Sequence, residues 1–120
     1  MNERCAEETC PVALAVGILD GKWTMLVIRD LLEGTKRFSA LRASLAGISP
    51  KTLTDRLRSL EEHGLVQRVV YPEIPPRVEY TLTDAGLGLE PVVRALGAWG
   101  AAMASTPAAA SQPLPPAESG

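Results

Sequence analysis

One segment of the sequence combines a helix start, a leucine edge and a polar, basic edge. Ser49 and Pro50 open it, since a serine side chain caps unpaired N–H groups and proline suits the first helical position. A buried helix side is indicated by Leu53, Leu57 and Leu60. The opposite side carries Lys51, Thr54, Asp55 and Arg58. Hydrogen-bond donors and cations on the outer side of a helix are the groups that recognise base edges in DNA. Taken alone, however, the segment favours an ordinary amphipathic surface helix.

The polar side of this helix offers groups that match different base edges. Lys51 and Arg58 have donors that suit guanine, and the methyl group of Thr54 suits thymine. Asp55 is open to three interpretations: it accepts a hydrogen bond from cytosine, orients Arg58, or repels wrong sequences. Arg56 lies closer to the leucine edge, so we expect it to form an ion pair with a neighbouring acid. The DNA contacts predicted on this helix are Ser49, Lys51, Thr52, Thr54, Asp55 and Arg58.

Positive charge is concentrated in the middle of a chain that is acidic overall. The 120 residues have a formal net charge of −2, whereas the window from Lys36 to Arg77 holds eight cations and four anions, a net of +4. A basic face on an acidic body is typical of a nucleic-acid binder, and scattered solvated charge is the alternative. We expect phosphate contacts from Lys36, Arg37, Arg42 and Arg77. The unpaired N–H groups that begin the Ser49 helix are a further candidate for a phosphate.

Hydrophobic spacing predicts that the basic helix is the second half of a helix-turn-helix. An almost wholly apolar first helix spans 10–19. A second helix over 22–32 is apolar around most of its circumference, which places it in the middle of the core. A third helix over 38–45 ends about three residues before the helix over 49–63, as in DNA-binding helix-turn-helix pairs.

A β-hairpin is predicted directly after this pair. Residues 66–70 and 78–82 have the composition and alternation of short strands, and the three prolines within 71–77 exclude regular strand there. A hairpin in this position is the wing of a winged-helix domain. Arg77 lies beside its stiff tip, where it either reaches a phosphate or the minor groove, or simply solvates the turn. The predicted fold class is therefore mainly α with a small β-hairpin.

The last predicted helix and the first one are candidates for a dimer interface. Thr83 is expected to cap the last helix, Gly86 and Gly88 to weaken it, and Pro91 to cause a start or kink at Glu90. Its apolar stripe has nearly coiled-coil spacing, and the first helix is too apolar for a small domain to hide alone. The residues assigned to the interface are Val12, Val16, Val92, Leu96, Trp99 and Met103. A two-fold dimer would set two recognition helices about 34 Å apart, whereas intramolecular packing is the alternative.

Cysteine usage and composition narrow the remaining classes. Cys10 precedes Pro11 at a predicted helix N-cap, where the helix dipole favours a thiolate; a small buried hydrophobe is the other interpretation. Two cysteines and one histidine predict neither a disulfide framework nor a metal site, and no cofactor motif is present. The lack of a catalytic constellation or export signal predicts a cytoplasmic non-enzyme without membrane contact. The predicted layout is a flexible segment over 1–9, a domain over 10–104 and a disordered Pro/Ala/Ser-rich tail over 105–120.

Six motifs in order give the chain a family resemblance from residue 10 to about residue 100. They include Gly21-Lys22-Trp23-Thr24, Ile48-Ser49-Pro50-Lys51-Thr52-Leu53 and Pro75-Pro76-Arg77-Val78-Glu79-Tyr80-Thr81-Leu82-Thr83. With these, the sequence resembles the HxlR-type family of bacterial winged-helix regulators. The resemblance implies a homodimeric regulator of transcription that binds operator DNA, with recognition helix 49–63, wing 71–77 and dimer helices at both ends. It also implies a cysteine, here Cys10, that senses oxidants or electrophiles.

Two alternatives remain at this point. A winged helix that binds protein instead of DNA would keep the same fold, and the acidic net charge is compatible with it. That version should show apolar or acidic residues on the outer side of the Ser49 helix, where this sequence has Lys51, Thr54 and Arg58. A metal-sensing winged helix is a weaker alternative, since Cys5, Cys10 and His63 lack workable ligand spacing.

Overall fold

The computed structural model describes residues 10–105, and its elements follow the predicted order. They are α1 (Pro11–Ile18), α2 (Thr24–Leu31), β1 (Lys36–Arg37), α3 (Phe38–Ser44), α4 (Pro50–Glu62), β2 (Val66–Tyr71), β3 (Arg77–Leu82), α5 (Asp84–Leu87) and α6 (Glu90–Ala104). The strands form one antiparallel sheet in the order β1-β3-β2. The predicted fold class is confirmed. The predicted segment 1–9 and the tail beyond Ser105 lie outside the described residues.

The core lies between α2, α3, α4 and the inner face of the sheet. Its largest fully buried side chains are Val27, Ile28, Leu41, Leu53, Leu57 and Leu60. The predicted leucine edge of α4 is confirmed, because all three of its leucines are at most 1% exposed. α2 occupies the centre as predicted, since it contacts α3, α4 and β3. Each buried leucine stabilises the fold by roughly 1.5–3 kcal/mol, which holds α4 firmly against the rest of the domain.

Both ends of α4 are fixed by local hydrogen bonds. At the start, the Ser49 side chain accepts a hydrogen bond from the Thr52 N–H at 3.0 Å, as predicted. At the end, Gly64 has a φ of 74°, a left-handed conformation that favours glycine. The N–H of Gly64 donates to the carbonyl of Glu61, and the N–H of Leu65 donates to that of Leu60. These bonds stop the helix and turn the chain into β2.

The predicted hairpin is confirmed, but the sheet is larger than the prediction. The strands β2 and β3 pair from Val66 opposite Leu82 to Tyr71 opposite Arg77. The irregular stretch predicted over 71–77 was therefore too wide, because only the prolines inside it lack an N–H and the end residues remain able to pair. Lys36 and Arg37 lie between the predicted second and third helices, where no strand was predicted. They form β1, which pairs with β3 on the side away from β2.

The helix predicted after Thr83 is in fact two helices. Thr83 caps the short α5, accepting a hydrogen bond from the Gly86 N–H at 3.2 Å. α6 begins separately at Glu90, as Pro91 predicted, because proline has no N–H to donate to a preceding turn. Gly86 also has a packing role: a Cβ added there would lie 2.2 Å from the Leu65 carbonyl oxygen. The glycine lets α5 sit directly against the chain that links α4 to the sheet.

Candidate nucleic-acid interface

The outer side of α4 exposes the polar groups that the sequence assigned to it. Lys51 and Arg58 are exposed, while Thr54 and Asp55 are half-buried at the edges. The Lys51 ammonium forms an ion pair with Asp55, with 2.8 Å between Nζ and Oδ2. That hydrogen bond is the main cause of a lowered pKa for the Asp55 carboxyl, and the charges of Lys51 and Arg58 act in the same direction. The carboxylate of Asp55 therefore balances the charge of Lys51. Among the described residues, no direct contact supports the interpretation that Asp55 orients Arg58.

The first turn of α4 uses most of its polar groups internally. Ser49 accepts from the Thr52 N–H and donates through its hydroxyl to the Thr52 hydroxyl at 2.9 Å. Pro50 has no N–H to offer. This leaves Lys51 as the first-turn residue whose N–H lacks a partner among the described residues. Fewer N–H groups are therefore available to a phosphate at this helix start than the sequence indicated. Ser49 and Thr52 contribute mainly by shaping the turn.

Arg77 is held against the wing by its neighbours. Its guanidinium lies 4.1 Å from the centre of the Tyr71 ring and forms an ion pair with Glu73 at 3.1 Å. A second carboxylate, that of Glu79, lies 3.7 Å away. The side chain is 30% exposed. The predicted DNA contact through Arg77 stays a prediction, and it requires that the phosphate compete with Glu73.

Of the other predicted phosphate contacts, Lys36 and Arg37 lie on the edge strand β1, and Arg42 lies on α3. Lys36 is half-buried and forms an ion pair with Glu33 at 3.0 Å. Arg37, beside it on β1, is exposed, and so is Arg42 on α3. Within residues 10–105 neither arginine has a carboxylate within ion-pair distance. Arg37 and Arg42 are therefore the better placed of the three to meet an anion.

A cleft of about 400 Å³ lies between the exposed side of α4 and the sheet. It is lined by Thr54, Leu57, Arg58, Glu61, Arg68 and Tyr80. Arg68 is one of the eight cations in the window from Lys36 to Arg77, and no role was predicted for it. The available signal was strand alternation, because Arg68 lies two residues from the buried Val66 on the same face of β2.

Arg56 links the recognition helix to the turn that follows α1. The ion pair predicted for it is wrong: its guanidinium instead donates to the backbone carbonyl of Asp20 at 3.2 Å. Gly21 makes this approach feasible, since its φ is 100° and an added Cβ would lie 2.7 Å from the Arg56 guanidinium. The turn between α1 and α2 is thus connected directly to α4.

The apolar residues assigned to a dimer interface are exposed in the single chain. Neither α1 nor α6 buries any residue. We call this surface the α1–α6 face, and its members are exposed by 41–66%: Val12, Val16, Val92, Leu96, Trp99 and Met103. A groove of about 540 Å³ brings four of them together, with Trp99 and Met103 further along α6. The exposure is what the dimer prediction requires.

Cys10 lies at the N-cap of α1, as predicted, but it is buried. Its backbone is extended, Pro11 follows in the first turn, and its side chain makes no capping hydrogen bond. The residue is only 5% exposed. Burial supports the small-hydrophobe interpretation, while the position beside the α1–α6 face keeps the sensing interpretation open.

The packing of α2, α3 and α4 against a hairpin-based sheet defines a winged helix-turn-helix protein. The α3–α4 pair is its helix-turn-helix, and the β2–β3 hairpin is its wing. The HxlR-like helix-turn-helix family model matches residues 18–107, so the chain belongs to that family.

Individual relatives agree with this assignment. A Synechocystis protein named as an uncharacterized HTH-type transcriptional regulator is 53% identical over 87 residues, which cover 72% of this chain and 64% of that protein. The chain thus matches just under two thirds of that relative's length. A solved structure from Porphyromonas gingivalis W83, described as a MarR-family regulator, has a TM-score of 0.77 at 39% identity and covers 79% of this chain and 93% of its own. The redox regulator HypR in its reduced form has a TM-score of 0.76 at 38% identity, covering 79% and 94%.

The described residues also bear on membrane crossing and on metal binding. Among residues 10–105, no helix has both the length and the apolar character that a bilayer crossing needs. The same residues bring no three potential ligands of the His, Cys, Asp and Glu types close enough to hold a metal ion.

Proposed function

We propose that this chain is a sequence-specific DNA-binding regulator of transcription that acts as a homodimer. α4 enters the major groove, where Lys51, Thr54, Asp55 and Arg58 face base edges, and the wing contacts the adjacent backbone or minor groove. The observation that carries the proposal is that α4 has one buried side and one exposed side. Its leucines are at most 1% exposed, whereas the Lys51 side chain is 85% exposed. A helix anchored so firmly presents its outer groups at fixed positions, as base reading requires.

The relatives support this proposal and give no support to an enzyme. Those reported above are named as transcriptional regulators or, for HypR, as a redox regulator. The protein-binding alternative needs an apolar or acidic outer edge on α4. The edge carries Lys51 and Arg58 instead, and the carboxylate of Asp55 is engaged with Lys51.

Binding isotherms of the full chain test the proposal. A labelled duplex from the region upstream of its own gene is compared by fluorescence anisotropy with a shuffled duplex of the same composition. We expect tighter binding to the natural duplex, and a steep loss of affinity with added KCl because several phosphates are neutralised. No binding to either duplex at low ionic strength would contradict the proposal.

A response to thiol oxidation is a second proposal, carried by the position of Cys10. The residue begins α1, one of the two helices of the α1–α6 face, so a change at its sulfur would alter the spacing of two recognition helices. HypR, which shares the fold, is titled a redox regulator and is known in oxidised and reduced forms. In the proposed step two thiols, one of them that of Cys10, form a disulfide and pass two electrons and two protons to an oxidant such as diamide.

DNA release under diamide tests this second proposal. The wild-type chain is expected to leave its operator duplex when treated and to rebind after dithiothreitol. A Cys10→Ser variant should stay bound throughout. Cys5→Ser should also stay bound if Cys5 supplies the second thiol, and should still release DNA if the second thiol is the Cys10 of the other protomer. A Cys10→Ser protein that still releases DNA would rule out the thiol of Cys10 as the sensor.

A further inference from the structure

The cleft between α4 and the sheet has two arginines in its walls. Arg58 lies on the α4 side and Arg68 on the β2 side, and the remaining lining is Thr54, Leu57, Glu61 and Tyr80. Its volume of about 400 Å³ is open to solvent, and both arginines are exposed. Nothing in the roles derived so far uses Arg68.

The register of the hairpin gives Arg68 an unusual position. It pairs directly with Tyr80, and the neighbouring pair on the same face is Val66 with Leu82. Val66, Tyr80 and Leu82 are all buried. Because alternate residues of a strand share a face, Arg68 belongs to the core-facing side of the sheet. Arg68 itself is exposed and lines the cleft, so its guanidinium stays hydrated and accessible to an anion from solvent.

The charge balance of the cleft favours an anion. Within residues 10–105, neither Arg58 nor Arg68 has a carboxylate within ion-pair distance, unlike Lys51 and Arg77. Glu61 also lines the cleft, so two guanidinium groups and one carboxylate leave a net charge of +1 there. A guanidinium is a planar fork of donors that matches a phosphate. The cleft is also lined by Tyr80 and Thr54, whose side chains each carry a hydroxyl group.

The proposed DNA complex supplies such an anion at this place. A recognition helix in the major groove and a wing in the adjacent minor groove lie on either side of one sugar–phosphate strand. That strand must pass between α4 and the hairpin. We therefore propose that the cleft seats a backbone phosphate of the bound DNA, held by Arg68, while Arg58 reads the base beside it. This inference rests on the proposed function and adds Arg68 as a residue that fixes the register of the helix on the duplex.

An Arg68→Gln variant of the full chain tests the phosphate seat. Affinity is measured for two labelled duplexes, one selected from a random library by the wild-type protein and one of shuffled sequence. The variant is expected to bind both duplexes roughly tenfold more weakly. The slope of log affinity against log KCl should fall by about 0.9 per protomer, since one phosphate contact is lost. Glu61→Gln should tighten binding to both duplexes by removing the opposing carboxylate.

Arg94→Gln is the matched control. Arg94 lies on α6, is 74% exposed and loses the same charge, so its isotherms and salt slope should equal those of the wild type. Thermal unfolding checks that Arg68→Gln is folded. If it is not, Arg68→Lys replaces it and should keep the slope while weakening both affinities.

The outcomes separate the inference from the proposed function. If the wild-type protein binds neither duplex, both the phosphate seat and the proposed function are wrong. Wild-type binding with an Arg68→Gln variant of unchanged affinity and slope overturns the phosphate seat alone. A loss confined to the selected duplex would make Arg68 a base-reading residue and would also overturn the seat.

Discussion

The core around α4 and the α1–α6 face use similar apolar residues in opposite ways. Leu53, Leu57 and Leu60 are at most 1% exposed because α2 and the sheet enclose them. Leu96 and Trp99 on α6 are 51% and 66% exposed because α6 has little to pack against. The region around α4 is therefore complete within a single chain, whereas the α1–α6 face needs a second surface to cover it. The two regions therefore have different roles. The buried core holds the outer side of α4 rigidly in place, and the α1–α6 face provides a surface for a partner.

The largest effect is expected from a matched pair of leucine truncations. Leu57→Ala should lower the free energy of unfolding by about 2–5 kcal/mol at every protein concentration, because it leaves a cavity in the core. Leu96→Ala should lower it only at concentrations where the chain is dimeric, since the lost contacts are between protomers. Urea unfolding over a range of protein concentrations measures both. A Leu96→Ala loss that matches that of Leu57→Ala under dilution would show that α6 belongs to the intramolecular core.

A second variant tests the incomplete region directly. Trp99→Ala removes the most exposed side chain of the α1–α6 face and is expected to weaken dimerisation by about 2 kcal/mol or more, close to 30-fold. Sedimentation velocity across a dilution series gives the dimer dissociation constant. Ile74→Ala is the control, because Ile74 is equally apolar and fully exposed but lies at the wing tip. Equal dimerisation by Trp99→Ala and wild-type protein would remove Trp99 from the interface.

Arg58→Ala tests whether the outer side of α4 recognises bases. The variant should lose about 1–3 kcal/mol of binding to a selected duplex and less on shuffled DNA, because a base contact is specific and a phosphate contact is not. Anisotropy titrations on both duplexes measure the difference. Losses of equal size on the two duplexes would assign Arg58 to the backbone.

The smallest effect concerns pH. The pKa of Asp55 is lowered by its hydrogen bond from Lys51. A carboxyl whose folded pKa lies below its unfolded value contributes stability above that unfolded value, and the contribution disappears as the pH falls through the folded pKa. Wild-type protein should therefore be slightly more stable than Asp55→Asn near neutral pH, and the difference should vanish in acid. Thermal unfolding from about pH 6 down to about pH 2 follows it. A difference that grows in acid would contradict the assignment.

The sequence predicts best what depends on local spacing. The leucine stripe of α4, its Ser49 cap and its glycine stop all follow from neighbouring residues. The apolar stripe of α6 is predictable for the same reason, since the helical spacing of its apolar residues can be recognised in the sequence itself. The start of α6 at Glu90 could likewise be read from Pro91, because a missing N–H acts on the adjacent turn.

Features that depend on distant partners were missed or misassigned. β1 is two residues long and has no alternation, so its pairing with β3 becomes visible only in the folded chain. The partner of Arg56 is a backbone carbonyl 36 residues away, which side-chain types cannot indicate. Arg68 needed the register of the hairpin before its face was known. Arg77 was expected in the irregular tip, whereas it begins β3 opposite Tyr71, and its contacts with Tyr71 and Glu73 depend on that pairing.

Hydroxyl-radical footprinting of the full chain on a duplex selected from a random library tests whether two copies of α4 bind one face of the DNA. A dimer that presents two copies of α4 on one side should protect two patches on the same face of the DNA, centred about one helical turn apart. Protection should also cover the backbone between each major-groove patch and the adjacent minor groove, where the wing lies. A single protected patch, or none at low ionic strength, would contradict the account.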